Sequence, residues 1–156
     1  MFKRLISLAL CAMMVFALAS CGGGGNGEVT TESNIPAEIH CNVTVKIAAT
    51  DTKGEEILID NLPIILRNRT EWPTILDALA QACSAYEIKY SASEDGSTVG
   101  TIKNYANFAT DSTGATCFWE WTKNGKTPDS GKAGDTLVTD GDVYVFTYTR
   151  IGGSEQ

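Results

Sequence analysis

Few residues in this sequence have types and spacing that could support covalent or metal chemistry. The single histidine, His40, lies beside a glycine-rich segment, where a serine or cysteine nucleophile would have to pair with it. No closely spaced group of His and Cys offers a zinc site, and no glycine loop followed by lysine offers a phosphate site. Asp140 and Asp142 could hold calcium or act on a glycosidic oxygen, but Asp-Gly-Asp is more simply an acidic turn. We therefore expect a protein that is not an enzyme, with no catalytic residue, no metal site and no required cofactor.

Aromatic residues on two predicted strands are better candidates for function. Trp119 and Trp121 point the same way along one strand, and Tyr144, Phe146 and Tyr148 do so along another. A core beneath one helix accommodates one such stripe easily and two with difficulty. Either stripe alone could be core packing, but together they favour an exposed platform for a flat ligand or a partner protein.

A turn directly follows the tryptophan strand. Its residues are Asn124, Gly125, Lys126, Thr127 and Pro128. Asn-Gly is typical of a two-residue hairpin turn. Backbone amides and the lysine cation at this strand end could bind carbonyl, amide or phosphate groups, or the segment could be a turn and nothing more.

The first residues predict that the protein is exported and attached to a membrane. Lys3 and Arg4 precede an apolar run over residues 5–19, which is short for a membrane-spanning helix. The run ends in Ser20 and Cys21, and the whole pattern resembles the bacterial lipoprotein signal. The resemblance implies cleavage before Cys21, lipidation of its thiol, and anchoring in the bilayer on the extracytoplasmic face of a bacterial cell membrane. An uncleaved anchor or a chance cysteine is the alternative.

Composition divides the remaining chain into a tether and one domain. Residues 1–20 form the predicted signal peptide, residues 21–38 the lipidated cysteine and a glycine-rich tether, and residues 39–151 the domain. Hydrophobic residues make up 43% of the 156 residues, which is typical of a globular protein. The formal net charge of −7 argues against nucleic acid as a partner, because phosphates require a basic surface.

Periodicity within the domain predicts one helix among about six strands. Alternation predicts strands over residues 41–49, 88–91, 97–103, 117–123 and 143–150. Residues 57–66 read as a strand pair or as one strand bent around Pro63. Thr74 and Asp77 have the spacing of a capping box, and the apolar positions after them predict a helix of about 11 residues. These elements predict an α+β domain with a mixed or antiparallel sheet and one packed helix.

Three cysteines remain in the predicted domain, so at most one disulfide can form there. Cys83 falls on the apolar stripe of the predicted helix, where a buried free thiol is expected. Cys41 and Cys117 lie on predicted strands and could pair if those strands are neighbours.

Part of the sequence resembles the C-terminal β-domain of transcobalamin and intrinsic factor. The likeness is carried by residues 118–128, Gly134 and residues 140–149. The helix start at residues 74–79 and the strand at 99–102 fit the same family, and the likeness covers roughly residues 41–150. It implies a β-grasp-like fold and a role in holding a corrinoid, since in the vertebrate carriers this domain closes over one face of cobalamin. Carried over by position, the ligand-binding residues would be Trp119, Trp121, Asn124, Gly125, Lys126, Thr127 and Pro128. We expect the residues after the predicted signal to leave no room for the large helical domain of those carriers.

Two functions follow as hypotheses. The first is a membrane-anchored surface lipoprotein that binds cobalamin or another corrinoid and hands it to an importer or a second lipoprotein. The alternative is a surface module that binds a protein or a polysaccharide and has no small-molecule ligand, because one fold hosts many functions.

Overall fold

The computed structural model describes residues 35–50, 53–67 and 69–153. The predicted signal peptide, Cys21 and most of the predicted tether lie outside these described residues. Within them, no helix is long and apolar enough to cross a membrane.

Eight strands and one helix make up the described chain. The strands are β1 (Glu38–Ile47), β2 (Glu56–Arg67), β3 (Tyr90–Ala92), β4 (Val99–Ile102), β5 (Tyr105–Ala106), β6 (Ala109–Thr110), β7 (Thr116–Lys123) and β8 (Asp142–Ile151), and the helix α1 (Ile75–Ala85) follows β2. One helix against a mixed sheet confirms the predicted α+β class.

The main sheet has five strands in the order β2-β1-β8-β7-β6, and β3, β4 and β5 form a smaller antiparallel sheet. Strands β1 and β8 run parallel at the centre of the main sheet, while its other neighbours pair antiparallel. Because β1 and β8 come from the two ends of the described chain, their pairing closes the domain. Alternate residues of β1 and β8 are buried, so one face of the main sheet carries the core.

Helix α1 begins and ends close to where its sequence predicts. The N-cap residue Thr74 accepts a hydrogen bond from the Asp77 backbone N–H, and the Asp77 carboxylate accepts one from the Thr74 N–H at 2.7 Å. This capping box satisfies amide groups that the first helical turn leaves free. Ile75, Leu79 and Cys83 then bury one face of the 11-residue helix.

Strand β2 is a single irregular strand, so the one-strand alternative is correct, but the irregularity lies at Asn61 and not at Pro63. Asn61 has a positive φ of 41° two residues before Pro63. Its backbone N–H donates to Thr44 Oγ1 at 3.0 Å, and its side-chain oxygen accepts from Asn42 Nδ2 at 3.0 Å. These bonds to β1 stabilise the bend at Asn61.

The three cysteines of the described chain are free and buried. A bond between Cys41 and Cys117 is excluded, because β8 lies between their strands. Cys41 pairs with Asp142 and Cys117 with Arg150, eight positions further along β8. At about 3.4 Å per residue this separates the two cysteines by roughly 27 Å, far beyond disulfide range. Burial raises the pKa of Cys41 to about 11 and that of Cys83 to about 12.

Candidate functional site

Both predicted site tryptophans lie in the core. Trp119 is 7% exposed and Trp121 is 5% exposed. The indole N–H of Trp119 donates to the Tyr105 carbonyl at 2.9 Å, and that of Trp121 donates to the Gly131 carbonyl at 3.1 Å. The expectation that they form an exposed platform is therefore wrong, and neither offers an open ring face to a ligand.

The second aromatic stripe is buried as well, with Tyr144 and Phe146 fully inaccessible. Trp119 packs against Tyr148 with ring centroids 5.0 Å apart, and Trp121 packs against Tyr144 at 6.5 Å. Both stripes fit because more than the helix covers the sheet. Ala133 and Val138, from the segment between β7 and β8, belong to the same core cluster.

The predicted turn forms at the end of β7. Asn124 and Gly125 have φ values of 51° and 75°, and the flanking residues Lys123 and Lys126 exchange backbone hydrogen bonds of 2.9 and 3.0 Å. Both positive φ values fit a type I′ hairpin turn, which Asn-Gly favours. Gly125, Lys126 and Thr127 are exposed, whereas Pro128 is half-buried.

The Asn124 side chain holds the start of β8. Its oxygen accepts from the Val143 N–H at 2.8 Å, and its amide nitrogen donates to Asp142 Oδ1 at 2.9 Å. Asn124 therefore positions the turn against β8, and the exposed residues after it remain available to a ligand.

Asp142 is buried and its carboxylate is fully engaged. Besides Asn124, it accepts hydrogen bonds from Tyr144 Oη at 2.8 Å and from the Thr139 N–H at 3.2 Å, and Lys123 Nζ lies 2.7 Å away. Burial alone would raise the pKa of Asp142, but its hydrogen bonds with Lys123, Asn124 and Tyr144 outweigh burial and lower the pKa. Asp142 therefore has a structural role.

The partner carboxylate of the Asp-Gly-Asp sequence is also engaged in the fold. Asp140 Oδ1 accepts a hydrogen bond from the His40 backbone N–H at 2.7 Å, and the Gly141 N–H donates to the His40 carbonyl at 2.8 Å. The Asp-Gly-Asp sequence is therefore the acidic turn that precedes β8, and it ties β8 to β1.

Trp72, which was not among the predicted site residues, is the solvent-exposed tryptophan. It is 38% exposed, and its indole N–H donates to the Val138 carbonyl at 2.8 Å. The Val138 N–H in turn donates to the Pro73 carbonyl at 2.9 Å, and the adjacent Leu137 is 50% exposed. A tryptophan outside the apolar period of both β2 and α1 was the signal in the sequence.

The Trp72 segment and the β7 turn are connected through residues 137–139. Lys123, next to the turn, donates from Nζ to Thr139 Oγ1 at 3.2 Å. We define the turn-end surface as five exposed residues on these connected segments, which are Trp72, Leu137, Gly125, Lys126 and Thr127. It combines a held indole, an exposed aliphatic side chain, polar backbone and one cation. Such a surface can bind a large molecule with apolar faces and amide groups.

No group of three or more His, Cys, Asp or Glu side chains in the described segments could hold a metal ion.

Comparison with known proteins gives a likeness in fold alone. Neither a family model nor a curated protein matches the sequence. The structure of haptocorrin in complex with Cbi matches at a TM-score of 0.52 and 15% identity, covering 76% of this chain and 27% of haptocorrin. A protein from Ruminococcus gnavus ATCC 29149, described as a putative metal binding protein, matches at a TM-score of 0.43 and 22% identity, covering 73% of this chain and 99% of that one. The chain therefore corresponds to about a quarter of haptocorrin and shares that part's fold.

Proposed function

We propose that this protein is a binding module for a corrinoid or a similarly large, flat ligand that carries amide groups. The observation that carries the proposal is the fold shared with haptocorrin, whose structure contains Cbi. The parallel pairing of β1 with β8 beside the β1–β2 hairpin, with α1 following β2, supports the finer description of the fold as β-grasp-like.

The turn-end surface is the part of the described chain that we assign to the ligand. The hydrogen bond from Trp72 to Val138 fixes the indole before binding, so less side-chain entropy is lost when a flat ligand packs on it. Leu137 adds apolar area, and the exposed turn at residues 125–127 supplies groups that can bond to amides. An open surface contacts one face of such a ligand, so we expect affinity at about the micromolar level, far from that of an enclosing site.

Lys126 gives this surface a way to distinguish two corrinoids. Cobalamin carries a phosphodiester in its nucleotide tail, and cobinamide lacks that tail. An exposed ammonium contributes little to the binding of the corrin's neutral amide groups, but it attracts the phosphate. We therefore expect Lys126→Ala to weaken cobalamin binding about three- to fivefold, the range of an exposed ion pair, and to leave cobinamide binding unchanged.

Equilibrium dialysis against cobinamide tests the proposal. Trp72→Ala should weaken retention about tenfold, as expected for loss of an aromatic anchor. Phe108→Ala is the matched control, because Phe108 is also aromatic, is 73% exposed and lies on the turn between β5 and β6. Equal affinity of both variants would contradict the assigned surface. No retention of either corrinoid at about 100 µM would contradict corrinoid binding and favour the protein- or polysaccharide-binding alternative.

We further propose that the domain is held by lipids on Cys21 at the extracytoplasmic face of a bacterial membrane, where it passes its ligand to an importer or a second lipoprotein. The signal pattern over residues 1–21 supports this location. Incorporation of labelled palmitate into the protein, lost in Cys21→Ser and kept in Cys41→Ser, is the expected result. Unlabelled wild-type protein in a bacterial host would contradict the anchor.

A further inference from the structure

A concave surface elsewhere on the domain shares no residue with the turn-end surface. It is an open groove of about 490 Å³ between the start of β2, the loop from α1 to β3 and the turn between β4 and β5. This volume is within the range of small-molecule sites. We call it the β2 groove.

Apolar side chains line one part of the β2 groove. These are Ile57, Leu58, Tyr86 and Ile88. Ile57 is 52% exposed and Tyr86 is 47% exposed, while Leu58 and Ile88 pack against the core. Covering an open apolar surface in a concavity with a ligand is favourable, because it removes that surface from water.

Charged side chains of both signs border this apolar surface. Glu56 and Lys103 form a salt bridge of 3.3 Å with both side chains about half exposed. Glu87 and Lys89 also line the groove. Within the described parts of the chain, neither Glu87 nor Lys89 takes part in a salt bridge. One carboxylate and one ammonium are therefore available to a ligand.

The backbone of the β2 groove is held in place before any ligand arrives. Glu87 and Lys103 have positive φ values of 55° and 58°, which non-glycine residues adopt at a cost. The Glu87 N–H donates to the Ser84 carbonyl at 3.1 Å, and the Lys103 N–H donates to the Lys89 carbonyl at 2.7 Å. These bonds fix the loop that carries Glu87 and Lys89 relative to the turn that carries Lys103.

We infer that the β2 groove binds an amphipathic zwitterion of the class of short apolar peptides with free termini. The peptide's apolar side chain would cover Ile57 and Tyr86, its carboxylate would pair with Lys89, and its ammonium would pair with Glu87. This charge complementarity selects a zwitterion over an amphipath of one sign, because such an amphipath would leave one of the two charges unpaired beside it.

The test uses alanyl-leucyl-alanine and its N-acetylated and C-amidated forms, titrated into the ¹⁵N-labelled full chain and followed by NMR. The free tripeptide should shift amides of residues 56–58, 86–89 and 103, and each cap should weaken its binding about three- to fivefold, the range of an exposed ion pair. Ile57→Ser should weaken the free tripeptide about tenfold. Capped and free peptides of equal affinity, shifts confined to other residues, or no shifts at 5 mM peptide would each overturn the inference.

Two variants assign the charges, and a third serves as control. In Lys89→Gln the penalty for C-amidation should disappear, and in Glu87→Gln the penalty for N-acetylation should disappear. Lys132→Gln removes an exposed lysine that lies outside both the groove and the turn-end surface, and it should keep both penalties. Cobinamide dialysis on the groove variants separates the two sites, because they should keep wild-type cobinamide binding. Persistence of both penalties in Lys89→Gln and Glu87→Gln would overturn the charge assignment.

Discussion

The three tryptophans of this chain have two kinds of environment, and the environment decides what each can do. Trp119 and Trp121 project from β7 into the core, where each indole N–H is bonded to a backbone carbonyl. Trp72 lies in the connection before α1 and keeps 38% of its surface open. Residue type alone therefore suggests a stacking surface at all three positions, whereas burial leaves this role to Trp72.

Replacing a core tryptophan should cost far more stability than replacing the open one. Trp119→Ala should lower the free energy of unfolding by about 3–5 kcal/mol, because it leaves a large cavity and removes the hydrogen bond to the Tyr105 carbonyl. Trp72→Ala should cost about 1–2 kcal/mol, since it removes one hydrogen bond and part of an exposed contact. Urea unfolding monitored by circular dichroism measures both. Similar losses in the two variants would contradict the core assignment of Trp119.

Asp142 should make folding stability depend on acidic pH. Because hydrogen bonds hold the folded-state pKa of Asp142 below its ordinary value, its stabilising contribution is complete above about pH 4, the unfolded value, and is lost as pH falls through the folded pKa. Asp142→Asn should be less stable at pH 7 and should lose less of its stability between pH 5 and pH 2. The remaining loss comes from groups such as Asp95, whose pKa is lowered to about 2 by hydrogen bonds with Ser93 and Ser97.

Unfolding by urea at a series of pH values gives this slope. Asp129→Asn, in the exposed segment after Pro128, serves as the matched control that removes an exposed carboxylate. An unchanged slope in Asp142→Asn would contradict the role given to its carboxylate.

Among the elements, the helix and the hairpin turn were predicted because short sequence patterns determine them. The Thr74 and Asp77 spacing and the apolar period after it predicted α1, and Asn124-Gly125 predicted the turn after β7. The strands β5 and β6 have two residues each, too few for an alternating pattern. The burial of both aromatic stripes was not predicted. Ala133 and Val138 pack in the same core cluster but come from a segment without an apolar period.

The capping box offers a direct test of one element. Thr74→Ala removes the side-chain acceptor for the Asp77 N–H and should lower the free energy of unfolding by about 1 kcal/mol. Thr127→Ala, at an exposed turn position, should change it by less than about 0.5 kcal/mol. Thermal and urea unfolding give both values. Equal stability of the two variants would show that the cap contributes nothing measurable to the domain.

At the scale of the whole molecule, the central pairing of β1 with β8 makes the domain depend on contacts between distant parts of the sequence. The acidic turn before β8 belongs to the same arrangement, since Asp140 bonds to His40 on β1. In the folded domain, the connection before α1 and Lys123 beside the β7 turn both bond to one segment, residues 137–139. The turn-end surface thus depends on the complete fold, and sequence spacing could not have shown that Trp72 and Lys123 bond to adjacent residues, Val138 and Thr139.

We propose that this turn-end surface binds a corrinoid. NMR of the ¹⁵N-labelled protein during titration with cobinamide tests it most directly, because it reports binding and location together. We expect saturable shifts of the Trp72 indole N–H and the amides of residues 125–127, with the indoles of the buried Trp119 and Trp121 little affected. An unchanged spectrum at about 100 µM cobinamide, or shifts confined to the β2 groove, would contradict it.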